Sequence, residues 1–431
     1  MTIRTPSDRY YPFLLGMGLI LSPQNFAAWG NAAGLTGSFF PIVLISVLAV
    51  HLLTAHSYQA LWAAEPREEP KASPGPSGID PLLILLWGSR ISLAVCAAPL
   101  ILVSAGFIFN ELFLYWFPNF GFAYGMLILF LLLNLLGEKT FSRTQALLVG
   151  SALAGLGLIS AIGLGSAFFS AEAATRNDPG SGPAFPGFAI ALLLFVGFDL
   201  ADLHRSQQDR SVSQRPFQMA IVLILSGLSF LLWGTVSLLY VSAVNLTETT
   251  VAHVVAARAV FGEPGARIMG VVVLAGAGAA INALLFSIPR LLARFPGGVP
   301  EPASAAPLKK PAAVFLILLG ASIALVLALG LAGESELETA LKAALLLWLT
   351  QNAWIHLRVL TGRSRDRTGT LFNRAVPLAG LALLTGSLVA LILRENRPAQ
   401  LLIFYLAFLL ISCLLGFIIL KYKTRGKEVN R

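Results

Sequence analysis

The residues of this chain best placed to do chemistry are charges and chain breaks buried in apolar runs. Asp199 closes FVGFD (Phe195, Val196, Gly197, Phe198, Asp199), deep in LLLFVGFDLADLH, with Asp202 one turn later and nearer the end of the run. An ionisable group inside a membrane span costs roughly 2.5–3.5 kcal/mol on insertion scales and marks a functional position by default. Asp199 could bind a substrate amine, carry a proton, or hold an interrupted helix to its neighbour. Arg90, in WGSRISLAVC, is the second charge at depth. Arginine keeps its proton, so it needs an anion or a set of carbonyls. Asp199, Glu111 or an anionic group of a substrate would serve, and so would a coupling-cation position or an interface reached by snorkelling. The third feature is GMGLILSP (Gly16 to Pro23), where Gly16 and Gly18 loosen the backbone and Pro23 removes an N–H. Unwinding over Gly16, Met17, Gly18, Leu19 and Ile20 would free N–H groups at the head of the next half-helix, a cradle for a carboxylate. Asn282 and Ser287, in AAINALLFSIPRLLARF, are polar positions that either tighten helix packing or line a pathway.

These residues must be positioned by helices that cross a bilayer. Of 431 residues, 56% are hydrophobic and 12% charged, and the apolar residues fall in long blocks. A hydrocarbon core of about 30 Å takes about 20 helical residues to cross. The pattern predicts an all-α polytopic membrane protein with twelve spans, near 11–33, 39–63, 80–108, 121–138, 145–169, 186–204, 217–243, 267–292, 312–332, 337–359, 375–393 and 400–421. With the N-terminus placed in the cytoplasm, 23 of the 30 Lys and Arg fall inside and six outside, with Arg90 left within a span. That asymmetry predicts both termini inside and explains the net charge of +9 as topology, so no nucleic-acid partner is expected. The first span, with no small-residue cleavage site after it, reads as retained and not as a signal peptide.

The two interrupted spans head two five-span units, residues 1–169 and 170–360, with two more spans and a basic tail in 361–431. An odd number of spans per unit inverts the second unit in the membrane. Paired interrupted spans in inverted units point to the central binding site of a secondary transporter. The links Pro66–Gly78, Arg176–Gly187 and His204–Pro216 are too short for a soluble domain. The longest outer connection holds TVAHVVAARAVFG, which fits a short interfacial helix, and Asn245 opens a glycosylation sequon.

Other chemistries find no support. GxxxxGK[ST], GxSxG and HExxH are absent, so neither ATP hydrolysis nor a membrane enzyme acting on lipid-linked substrates is expected. His51 and His56 are five apart and do not share a helical face. Cys96 and Cys413 are far apart and read as core residues. No metal site or cofactor is expected, and nothing in the residues sets an oligomeric state.

At this point the chain resembles the amino acid–polyamine–organocation superfamily of secondary transporters. GMGLILSP is similar to that family's first-span GSGIF-type loop and proline, HSYQAL to its SYAEL-like second-span ending, and NLLGEKTFSRTQ (Asn134 to Gln145) to its fourth-to-fifth junction. LFVGFD and INALLFSIPRLLARF resemble its sixth- and eighth-span patterns, so the likeness runs over residues 10 to 295. The resemblance implies a five-plus-five inverted-repeat fold in the cytoplasmic membrane. It also implies transport of an amino acid or amine, and the embedded aspartate, with no sodium cage in view, favours coupling to protons or exchange over sodium. The substrate carboxylate would sit at Gly16 to Ile20 and its amine at the carbonyls of Phe195 to Gly197. Asp199 falls on the acidic position linked to gating or protonation. Met17 replaces a small residue, and Leu203 and His204 replace acidic ones. Those departures fit a second reading, a membrane scaffold or sensor that keeps the fold without transporting.

Overall fold

The computed structural model describes residues 7–64, 81–169, 184–202, 215–293, 310–361 and 371–429. Leu203, His204 and most of the three polar links lie outside them. Helices make up nearly all of the described residues: α1 (Ser7–Ile20), α2 (Pro23–Thr36), α3 (Phe40–Ala64), α4 (Pro81–Leu112), α5 (Asn119–Leu135), α6 (Glu138–Phe169) and α7 (Ala184–Ala191), then α8 (Arg215–Tyr240), α9 (Ala243–Glu248), α10 (Ala252–Ala293), α11 (Lys310–Ala328), α12 (Ser335–Thr361), α13 (Leu371–Leu393) and α14 (Pro398–Val429). By length and composition seven helical stretches can cross a membrane, and three shorter apolar ones accompany them. The chain is an all-helical polytopic membrane protein.

The long connection expected on the outer side forms two helical pieces, α9 and the start of α10, which bends at the non-helical pair Phe261 and Gly262. Beyond the bend α10 carries AGAGAAINA (Ala275–Ala283), whose small side chains let other helices approach. It packs against α6, α4, α1, α11 and α2 and is the centre of the bundle. The periphery is α13 and α14, where Leu402, Ile403, Leu406 and Leu410 face outward as lipid-facing residues do. Between these extremes α12 is the most informative helix. It is too polar to rank among the apolar spans, yet Gln351, Asn352 and His356 on it are fully buried.

Both interruptions are present, and one lies away from its expected place. The helix of α1 runs unbroken through Gly16, Met17, Gly18, Leu19 and Ile20, so these residues do not form an open N–H cradle. The chain leaves the helix at Leu21 and Ser22, and Ser22 is extended (φ −68°, ψ 153°). Pro23 is the cause: its ring disfavours the helical conformation in the preceding residue and suits the first position of the next helix. The glycines serve packing instead. A Cβ on Gly18 would stand 2.9 Å from the Ala279 carbonyl oxygen of α10.

In the sixth span the α-helix ends at Ala191 and tightens into a 3₁₀ turn over Leu192–Phe195. The chain then breaks at Val196 and Gly197 and continues as a second 3₁₀ turn, Phe198–Asp202. This interruption falls within FVGFD, but the span is not one helix from 186 to 204. Gly197 has φ +103°, and a Cβ there would lie 2.6 Å from the Leu19 Cβ. Gly197→Ala is therefore expected to destabilise the fold by about 2 kcal/mol, from left-handed backbone strain and the overlap together. Thermal unfolding in detergent measures it. Adding Leu19→Ala should recover only part of the loss, because it relieves the overlap and leaves the backbone strained.

Candidate functional site

The two breaks meet, and one side chain serves both. Asn25, two residues after Pro23, points its amide nitrogen at the carbonyls of Leu19 (3.3 Å), Ile20 (2.9 Å) and Leu194 (3.2 Å). Carbonyls released by a broken helix must find donors when buried, and here they find the same one. A fourth released carbonyl, that of Leu192, accepts from His51 Nε2 at 3.0 Å. The backbone oxygens expected to receive a substrate amine around Phe195 to Gly197 are thus flanked by carbonyls already occupied by protein donors.

Asp199 sits against these breaks, 1% exposed. Arg90 reaches it from α4: Nη2 lies 3.1 Å from Oδ2, and the two side chains are 6% and 2% exposed. Asp199, not Glu111, is therefore the anion that Arg90 needs. From α12, Trp348 Nε1 donates to Oδ1 at 3.1 Å and Gln351 Nε2 donates to Oδ2 at 3.3 Å. The network continues outward from Gln351, which donates to the Tyr58 hydroxyl (2.7 Å), which donates in turn to Asn352 Oδ1 (3.2 Å). Ser89 donates to Gln351 Oε1. Asp199 is thus fixed by three donors from two helices, and its role in holding the broken span to its neighbours is visible directly. Arg90 is less fully used: its buried Nε has no partner among the described residues.

A cavity of about 10 Å³ remains at this meeting point, lined among others by Leu19, Gly197, Arg90, Asp199 and Trp348. It has room for about one water molecule. The conformation is closed around its centre. Met17 and Ile20 are fully buried, and Gly16 lies against Val222 and the Phe198 carbonyl. Phe195 and Phe198 turn their rings to His51, each 5.3 Å away centre to centre.

Asn282 and Ser287, the remaining polar positions, are both hydrogen-bonded inside the bundle. Ser287 bonds back to the Ala283 carbonyl of its own helix at 2.7 Å. Asn282 is one link of a clamp. It donates to Gln145 Oε1 and accepts from Asn134 Nδ2, both at 2.8 Å, while Gln145 Nε2 reaches the carbonyls of Leu14 (3.1 Å) and Ala279 (3.0 Å). The clamp ties α1 to α5, α6 and α10. A second polar seam joins α3 to α12, with Thr54 and Ser57 on the two nitrogens of His356 (3.1 and 2.9 Å).

On the α2 side of the breaks the seam is aromatic. Phe26, Trp29, Phe230, Trp233 and His253 pack at centroid distances of 5.6–6.0 Å. The indole nitrogens of Trp29 and Trp233 and both nitrogens of His253 are buried without partners among the described residues.

Asn25, Gln145, Trp348 and Gln351 are the site residues that the sequence reading passed over. A signal existed for Gln351: TQNAWIH (Thr350–His356) is a polar run inside an otherwise apolar stretch.

No family model matches the chain, and no curated protein matches it. Solved structures do. The Eremococcus coleocola manganese transporter, in complex with an aromatic bis-isothiourea substituted compound, is similar over 96% of this chain and 95% of that one, with a TM-score of 0.59 and 12% identity. A histidine-to-alanine variant of the transporter matches over 96% and 94%, with a TM-score of 0.55 and 12% identity. The chain shares the fold of that membrane protein over nearly its whole length.

Proposed function

We propose that this protein is a secondary transporter that moves a small carboxylate-bearing organic solute, an amino acid, by alternating access around the two breaks. Discontinuous helices meeting at the middle of a bundle are where transporters of this kind hold substrate and coupling ion. The observation that carries the substrate class is Arg90. Its charge is at the cavity, its Nε lacks a partner, and guanidinium donors recognise carboxylates in fork geometry. This moves the carboxylate position from the backbone of Gly16 to Ile20 to the side chain of Arg90. It also takes the substrate amine away from Asp199, whose oxygens are already served.

The solved neighbour's name says that it transports manganese. The donor set here favours a different cargo. The one carboxylate that the described residues place at the site is neutralised by a guanidinium, which repels a divalent cation, and hard cations want several oxygen ligands. Under this proposal the twelve-span, five-plus-five arrangement with both termini cytoplasmic applies, supported by the 23-to-6 distribution of basic residues. The likeness to the amino acid–polyamine–organocation superfamily gives the same cargo class. Transport is driven by protons or by exchange.

The test is thermal unfolding of the purified protein against amino acids, their methyl esters, amines and Mn²⁺, followed by uptake of any stabilising solute into proteoliposomes. A ligand at 100 times its Kd adds about 2.7 kcal/mol to the folded state. Amino acids with a free carboxylate should stabilise, and their esters and Mn²⁺ should not. Stabilisation and uptake of Mn²⁺ would overturn the reading. Binding without uptake would favour the scaffold or sensor reading, which the nearly filled centre of the site supports.

A further inference from the structure

We propose that His51 is the group that carries the coupling proton, an inference that rests on the transport reading above. Three buried histidines are described, and their nitrogens are used differently. His356 is fully served: Thr54 Oγ1 already donates to the Val50 carbonyl, so it accepts from His356 Nε2, and Ser57 donates to Nδ1. His253 lies in the aromatic seam, away from Asp199. His51 is the intermediate case and stands at the breaks. A carbonyl oxygen only accepts, so the Leu192 contact puts the hydrogen of the neutral ring on Nε2. Nδ1 is then a bare lone pair, buried, with no donor among the described residues.

A ring left with one open acceptor position can take a proton without giving up its existing bond. The surroundings suit the product. Phe195, Phe198 and Trp348 stand around the imidazole at centroid distances of 5.3, 5.3 and 5.8 Å. Aromatic rings within about 6 Å attract a cation through their π faces. The titratable groups facing His51 from neighbouring elements are Asp199, on the second 3₁₀ turn, and His356, on α12. Arg90 stands behind Asp199, and Tyr58 lies two turns further along α3. Trp348 touches both centres, since it packs on His51 and donates to Asp199. Protonation at Nδ1 therefore places a second cation beside the carboxylate that Arg90 holds. The added cation competes for Asp199 and loosens the Arg90 fork that a substrate carboxylate would take. The proton and the solute are linked through that one carboxylate. Asp199 itself, engaged by three donors, is the fixed partner in this scheme.

The chain has five histidines, which makes the ring signals tractable. The full-length protein, labelled with ¹⁵N in its histidine rings and held in lipid nanodiscs, is titrated by NMR. The signal of His51 is assigned by its loss in His51→Gln and independently by elimination, replacing each of the other four in turn. It should pass from the Nε2–H neutral form to imidazolium as the pH falls through the range in which uptake accelerates. Proteoliposomes are then given a mixture of the twenty radiolabelled proteinogenic amino acids under a range of inward proton gradients. With one proton per solute, accumulation in the unmodified protein should rise about tenfold per unit of pH gradient. In His51→Gln, whose amide can still donate to Leu192, accumulation should no longer follow the gradient, whatever its rate. A His51 that stays neutral across that range, or a His51→Gln protein that still accumulates with the gradient, overturns the proposal. If the unmodified protein takes up no amino acid, the cargo reading has failed. The ring titration, with proton uptake on acidification read by an entrapped pH dye, then decides on His51 alone: no protonation at any pH the fold survives overturns it.

Discussion

Arg90→Met is expected to lower the stability of the protein by about 3–5 kcal/mol, the range found when one partner of a buried ion pair is removed. The size follows from what stays behind. Asp199 would remain at 1% exposure with only Trp348 and Gln351 as donors, a charge in a low-dielectric site without a counter-ion. The double variant Arg90→Met/Asp199→Leu should recover most of the loss, because an apolar pair of similar volume removes both desolvation penalties. Thermal or denaturant unfolding in one detergent compares the three proteins. The second half of the prediction concerns ligand: the double variant should fold and yet show no stabilisation by amino acids that stabilise the parent. A single variant that melts within a degree of the parent would mean that the pair contributes little. A double variant that still binds would take the carboxylate away from Arg90.

Asn25→Ala is the second large effect, expected at about 3 kcal/mol or more. The amide has two hydrogens and three carbonyls within reach, so removing it leaves buried acceptors at both breaks at once. An orphaned buried acceptor costs about 1–3 kcal/mol. Asn25 is 7% exposed, so water does not readily replace the lost donor. Asn25→Asp keeps the shape and removes the donor, and it should be at least as harmful, since it aims a carboxylate at three carbonyl oxygens. Hydrogen exchange localises the result: faster exchange should appear around Leu19–Phe26 and Leu192–Leu200 together. Exchange confined to one of the two segments would show that the breaks are held separately.

How much of this could be read from the sequence differs residue by residue. Asp199 was legible because a carboxylate in an apolar run has few inexpensive explanations, and Arg90 because arginine keeps its charge and at depth needs an anion or a set of carbonyls. Their pairing was one of several options, since the α4 register relative to the sixth span is set only by tertiary packing. FVGFD was located correctly, as Gly197 needs a backbone angle that other residues rarely take. The first break was placed several residues early. Glycine is equally a sign of flexibility and of close approach, and at Gly18 the neighbours Ala279 and Gln145 decide for close approach. Pro23 held the better information, through its effect on Ser22. The amide network was illegible for another reason. Asn25, Gln145 and Asn282 look alike as isolated polar residues in apolar surroundings, and only the fold says which carbonyl each one meets.

The two seams of the bundle are made of different materials, and this makes their cohesion unequal. On the α1 side of the breaks, Asn134, Gln145 and Asn282 are bonded across helices, so prising them apart exchanges directional bonds for water with little net gain. On the α2 side, the ring cluster of Phe26, Trp29, Phe230, Trp233 and His253 shuts with its nitrogens unanswered among the described residues. Water entering there would meet two indole N–H groups and an imidazole that the closed form leaves idle, each such group returning about 1–3 kcal/mol against the loss of ring contact. The closed form thus resembles a box with a bolted side and a side held only by suction. Heating, pressure or a wetting solvent should act first on the suction side, and the molecule has a preferred direction of failure built into its chemistry.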